Sequence, residues 1–184
     1  MTAPVPSIGA ESGAAAPNWD KTCFYITAIG DEDSEQRKHS DLFLNHLVTP
    51  ALKNFGLDVV RADKIAAPGV ITSQILQHIL YSKLVIVDLS FHNPNVFYEM
   101  AIRHATKLPV VQICRKRDKI PFDVNQVRTI MIDDSDVYNF VPNMPTYQSE
   151  LATQVRGALE GIVVTNPISI FFPALDIRMP PPTR

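Results

Sequence analysis

The sequence predicts an α/β fold: a doubly wound, five-stranded parallel sheet of the flavodoxin-like type, with strand order 2-1-3-4-5. Three observations predict it. Short apolar runs rich in β-branched and aromatic residues alternate with segments whose apolar residues recur at helical spacing. The strongest run, LVIVDL at 84–89, is almost uninterrupted, as expected of a strand covered by helices on both faces. Strand–helix–strand alternation gives parallel neighbours joined by right-handed crossovers, and the switch point then falls between strands 1 and 3.

The elements follow in order. Residues 1–20 are rich in Ala, Pro, Gly and Ser without apolar period and read as a disordered arm. The α/β domain is expected over 21–163. Its first strand is CFYITAI at 23–29, followed by a polar loop at 30–37 in which Ser34 is placed to cap a helix. That helix carries Leu42, Leu44, Leu47, Val48, Ala51, Leu52 and Phe55 at helical spacing and stops at Gly56; Pro50 inside it predicts a kink. A second strand is read at 57–62, a helix at 71–82, the LVIVDL strand at 84–89 and a tight loop at 90–93. A third helix is read at 94–107, strands at 109–114 and 129–132, and a last helix at 147–162. The tail, 164–184, is apolar yet studded with proline, so it is expected to pack on its own domain or on a second subunit and to bury Phe171 and Phe172.

Composition narrows the function classes. Seventeen Lys+Arg against nineteen Asp+Glu give a formal net charge of −2, which offers no basis for a nucleic-acid or membrane-surface partner. No apolar run reaches the length of a bilayer span, and the start of the chain shows no secretory pattern, so the cytoplasm is the expected location. Cys23 and Cys114 lie in strand-like segments and read as buried thiols, not as a disulfide or a metal site; neither metal nor cofactor is expected.

Ligands of open parallel sheets bind at the carboxyl ends of the strands, beside the switch point. The segments 30–37, 62–69 and 88–99 should meet there. Asn93 is a suitable N-cap and Pro94 a suitable first helical residue, so helix N–H groups face the crevice. Glu99 falls near the second turn of that helix. Spacing leaves two readings open, a carboxylate in the crevice or a surface ion pair with Arg103 four residues on. Asp88 at the strand end is a candidate acid, provided burial raises its pKa, or else a loop cap. Gly30, Asn93, Asn95, Tyr98 and Arg37 are the candidate substrate contacts, although Asn93 and Asn95 also fit ordinary turn roles and Arg37 a solvated helix start. The acids Asp31, Glu32, Asp33 and Glu35 argue against a phosphate loop at the first turn.

The segments CFYITAIGDEDSEQR, DVVRADKI, ITSQILQHILYSKLVIVDLSFHNPNVFYEMAIRHA and LPVVQI resemble a bacterial group related to nucleoside 2-deoxyribosyltransferases, which in turn is similar to Toll/interleukin-receptor (TIR) domains. The resemblance runs from about Thr22 to Ile113, and its specific part is DLSFHNPNVFYEMAIRHA. It implies that Glu99, after Tyr98, is the nucleophile, and that Asn93, six residues earlier, assists near the sugar or phosphate. It also implies an acid touching sugar hydroxyls at the position where this chain has Ile75.

The implied activity is cleavage of an N-glycosidic bond, by hydrolysis or glycosyl transfer, on a nucleoside, nucleotide or NAD-type substrate. A homo-oligomer is expected. The alternative is a non-enzymatic TIR-like signalling or defence module that acts by self-assembly or partner binding. A phospho-receiver domain would use Asp88, but strand 5 ends in Asp133 and Asp134 where a lysine would be needed, and the HNPNVFYE loop would go unexplained.

Overall fold

The computed structural model describes residues 17–65, 69–161, 166–177 and 179–182. Its centre is a five-stranded, all-parallel sheet in the order β2-β1-β3-β4-β5. The strands are β1 (Thr22–Ile26), β2 (Asp58–Arg61), β3 (Leu84–Asp88), β4 (Val110–Arg115) and β5 (Thr129–Ile132). All residues of β1, β3 and β4 are buried, the burial pattern of strands covered on both faces.

Because side chains alternate along a strand, each central strand feeds two cores. Cys23, Tyr25, Leu84 and Ile86 point into one core, which they share with Phe43, Leu47, Leu52, Leu151 and Val155. Phe24, Ile26, Val85 and Val87 point into the other, with Ile79, Val96 and Met100. The first core lies under the helical segment α1 (Glu35–Phe43), α2 (Thr49–Leu52) and the long α5 (Val137–Leu159); the second lies under α3 (Ile71–Tyr81) and α4 (Pro94–Thr106). A short α6 (Pro167–Phe171) follows.

The expected kink in the first helix takes the form of a π-turn at Leu44–Val48, joining α1 to α2. Pro50 has no N–H to give the carbonyl of His46. Gln148 on α5 supplies the missing donor, its Nε2 lying 2.7 Å from the His46 oxygen. Gly56 ends the run in the left-handed conformation, as expected. The last helix begins at Val137, ten residues before the expected start, and ends at Leu159. Pro142 and Pro145 hid this first part from a sequence reading. The helix accepts them because Asp136 caps its N-terminus and because its apolar side, Phe140 and Tyr147, packs on the first core.

Of the expected N-terminal arm, 1–16 lie outside the described residues, and Trp19–Lys21 form a 3-10 turn whose Trp19 ring packs edge-on against His78. The tail lies on its own domain, as expected, but not through the two rings expected to be buried. Asn166 is buried and donates to the His104 carbonyl, and Lys107 Nζ donates to the carbonyls of Phe172, Pro173 and Leu175. The tail is therefore tied down through its backbone, while the rings of Phe171 and Phe172 stay 67% and 65% exposed. Among the described residues no helix is long and apolar enough to cross a membrane, and no cluster of His, Cys, Asp and Glu is arranged to hold a metal.

Candidate active site

A crevice of about 260 Å³ opens at the carboxyl end of β1, between the turn after that strand and the start of α4. Local sequence builds it. Gly30 adopts φ +67°, and a Cβ there would run into the Ser34 side chain and Cβ of Gln36, so the turn after β1 needs glycine. Ser34 then caps α1, its Oγ accepting the Arg37 N–H. On the other side, Phe91 and His92 take left-handed backbone conformations at φ +66° and +50°. They are held there by the Phe91 N–H bonded to Asp118 and by Arg115, whose guanidinium lies 3.5 Å from the Phe91 ring centroid. This sharp turn delivers Asn93 as the cap of α4: its Oδ1 accepts the Asn95 N–H at 2.9 Å, and Pro94 follows as the first helical residue.

The walls of the crevice are apolar: Phe24, Ile26, Ile29, Ala62, Ile75 and Val96. Thr27, Asn93, Asn95 and Glu99 bring the polar groups. Glu99 has no hydrogen-bond or ion-pair partner among the described residues. Burial without compensation lifts its pKa from 4.5 to about 7. The ion pair with Arg103 is not formed. Arg103 is wholly buried, and its guanidinium donates to the carbonyls of Ile79, Ser82 and Pro109, tying the end of α3 to the start of β4.

Asp88 sits elsewhere. It shares the face of Leu84 and Ile86, so strand alternation sends it to the α1 side of the sheet, away from Glu99. Its carboxylate is fully buried and saturated: His39 Nε2 lies 2.7 Å from Oδ2, Tyr25 donates to Oδ2 at 3.0 Å, and the Ser90 N–H donates to Oδ1 at 3.0 Å. Burial pushes its pKa up, but the hydrogen bonds and charge of His39 and the bonds from Ser90 outweigh it and hold the carboxyl below its ordinary value. Of the two readings of Asp88, candidate acid or loop cap, these contacts favour the cap: the Ser90 N–H is bound, and the donors stabilise the ionised form, so the raised pKa that a proton donor would need is not produced.

Comparison with known proteins adds the fold. No protein-family model and no curated protein matches the chain. Among solved structures, the TIR domain of the Toll-related receptor TRR-2 from Hydra magnipapillata superposes with a TM-score of 0.52 at 18% identity, over 74% of this chain and 98% of that one. The chain has a TIR-like fold. Two 2-deoxyribosyltransferases are also neighbours. The one from Bacillus psychrosaccharolyticus has TM-score 0.47, 16% identity and 66% and 90% coverage of the two chains; the one from Leishmania mexicana has 0.40, 16%, 55% and 67%.

Within this TIR-like fold, Gly30, Asn93, Asn95 and Glu99 line one crevice, and Asp88, Tyr98 and Arg37 do not. Tyr98 precedes Glu99 on the helix and so points about 100° away, 66% exposed. Arg37 is bonded to Asp41 at 2.9 Å and lies 3.7 Å from Asp63. The sequence reading missed His39, the partner of Asp88. One signal was present: His39 stands four residues before Phe43 and eight before Leu47, on the core stripe of the first helix, and a buried acid at a strand end needs a donor.

Proposed function

We propose that the chain cleaves N-glycosidic bonds, with Glu99 as the nucleophile that attacks the anomeric carbon. The observation that carries this reading is an unpaired carboxylate, lifted to about 7, on the wall of an apolar crevice at the switch point of a parallel sheet. Loss of the C–N bond builds oxocarbenium character at the sugar. An adjacent carboxylate stabilises it and forms a glycosyl ester that water or a second base resolves. Asn95 and the free amide of Asn93 are the groups within the crevice suited to sugar hydroxyls. Asp88 is a positioning residue: it fixes the start of the loop that presents Asn93, through the N–H of Ser90. Incubation with a panel of nucleosides, nucleotides and NAD, followed by chromatography for free base, tests the reading. Base release that disappears in Glu99→Gln supports it; undiminished release in that variant removes Glu99 from the chemistry.

A second reading, a TIR-like module that assembles with itself, is favoured by the exposed apolar side chains of Ile170, Phe171, Phe172, Leu175 and Ile177 on the tail. Sedimentation across a concentration series tests it: a monomer at all concentrations speaks against assembly.

A further inference from the structure

We infer that the substrate of the Glu99 crevice is an unphosphorylated nucleoside whose base carries a positive charge, of the N-ribosylpyridinium class. This rests on the N-glycosidase reading above and specifies its substrate.

Three observations lead there. The first is the absence of an available acid. The ionisable side chains lining the crevice, among the described residues, are Tyr25 and Glu99. Tyr25 donates its hydroxyl proton to Asp88 on the opposite face, and burial with the Asp88 charge holds that phenol well above its ordinary pKa. Asp88 itself is kept ionised. With Glu99 used for attack, no group remains to protonate a departing base. A neutral purine or pyrimidine leaves as an anion unless protonated; a pyridinium leaves as a neutral molecule and needs no acid.

The second observation is charge. No lysine or arginine lines the crevice among the described residues. Arg61 and Arg37 are held by Asp41 and Asp63. The turn that follows Gly30 carries Asp31, Glu32 and Asp33, all exposed. A phosphate in the crevice meets no lysine or arginine among the described residues and has three exposed carboxylates on the adjoining turn to repel it, while a cationic base is drawn in.

The third is size. About 260 Å³ falls just below the roughly 300–1,000 Å³ of sites for drug-sized molecules, and suits one nucleoside better than a dinucleotide.

The reaction balances. A Glu99 oxygen forms a bond to C1′ as the C1′–N bond breaks, and its electron pair goes to the ring nitrogen, cancelling the positive charge. Water then attacks C1′, the ester C–O bond returns its pair to Glu99, and the water proton passes to solvent. The sum is cationic nucleoside plus water giving neutral base, free sugar and one proton. A neutral nucleoside hydrolysed in the same way releases no net proton.

The test follows initial rates of the full chain on nicotinamide riboside, its 5′-monophosphate, NAD, inosine and thymidine, by chromatography and by proton release at constant pH. We expect kcat/KM on nicotinamide riboside to exceed that on inosine and thymidine by roughly 100-fold or more, and that on the 5′-monophosphate and NAD by about tenfold or more. One proton should be released per nicotinamide, and all turnover should vanish in Glu99→Gln. Equal or faster cleavage of a neutral or phosphorylated member, lost in Glu99→Gln, overturns this inference and leaves the N-glycosidase reading standing. No base release from any member overturns both.

Discussion

The two faces of the sheet treat a carboxylate in opposite ways, only a few residues apart in the same strand–turn–helix unit. On the α1 face, Asp88 is fully buried and surrounded by His39, Tyr25 and Ser90, with Thr27 at 3.4 Å. Charges there are matched: in the hollow beside it, Arg117 meets Glu35 and Asp134, each at 3.0 Å. On the α4 face, Glu99 is only partly buried, yet it faces apolar walls without a partner among the described residues. The more deeply buried acid is the more acidic one. Burial alone would give the reverse order, so the donors decide. A satisfied acid supports a fold; an unsatisfied one stores the free energy that chemistry can draw on.

Glu99→Gln makes the largest break in this contrast. Base release should fall by roughly 10³-fold or more, because removing a nucleophile removes the step and not merely its efficiency. Glu99→Asp should fall by about 100-fold, since shortening the side chain withdraws the carboxylate from the anomeric carbon. Neither should unfold the chain. At pH 8 the Gln variant should instead be the more stable, by roughly 1 kcal/mol, in thermal melts. Measured kcat/KM and melting curves decide both halves.

Asp88→Ala tests the other face. It removes the acceptor shared by His39, Tyr25 and the Ser90 N–H, and should destabilise the chain by about 3–5 kcal/mol in urea titrations. The expected loss is in folded protein. If the variant folds normally yet loses base release 10³-fold, Asp88 acts in the chemistry and the contrast between faces collapses.

The pH dependence carries the same contrast with opposite signs. Glu99 has a raised folded pKa, so the stability it contributes is complete below about 4.5 and is lost as pH rises through about 7. The ionised form that the proposed attack requires appears as pH passes about 7, so kcat/KM should climb to a plateau with a midpoint near 7. Asp88 has a lowered folded pKa, so its contribution is present above the ordinary value of 3.8 and is lost as pH falls through the folded value. Acid melts of wild type and Asp88→Asn should converge at low pH, and those of wild type and Glu99→Gln should move apart between about pH 4.5 and 7 and keep a constant separation above that.

Much of this was legible in the sequence. Alternating runs and helical stripes specify the parallel sheet and its order, and β5 falls at 129–132 as read. The cap pair Asn93-Pro94 and the glycine at 30 locate the crevice, because each residue type answers a local backbone demand. The division of labour between the acids was not visible. Asp88 follows the LVIV run, and its parity with Leu84 and Ile86 assigns its face, but the donor that holds it, His39, is 49 residues away and meets it only after folding. Arg103 looked like the natural partner of Glu99 by helical spacing, and the carbonyls at the end of α3 claim it instead. The exposed Phe171 and Phe172 show the limit of apolarity as a guide: hydrophobic residues in a tail state a preference for burial without naming a surface.

The smallest expected effect sharpens the boundary between the faces. Arg37, in the first turn of α1, was a candidate substrate contact, but its guanidinium lies at 2.9 Å from Asp41 and 3.7 Å from Asp63. Arg61, wholly buried, holds those same two acids from the other side at 2.6 Å each. Removing Arg37 therefore leaves both acids paired. The exposed pair it forms should contribute less than about 1 kcal/mol to stability. Arg37→Ala should melt within a few degrees of wild type and keep kcat/KM within about twofold, since a charge already neutralised by two carboxylates adds little field at the crevice. Arg61→Ala should behave differently, because it strips a buried cation from Asp41 and Asp63 together, and should cost about 3–5 kcal/mol. A tenfold loss of turnover in Arg37→Ala with an unchanged melt would place the α1 face in contact with substrate, and the separation of a structural acid from a chemical one would have to be redrawn around that contact.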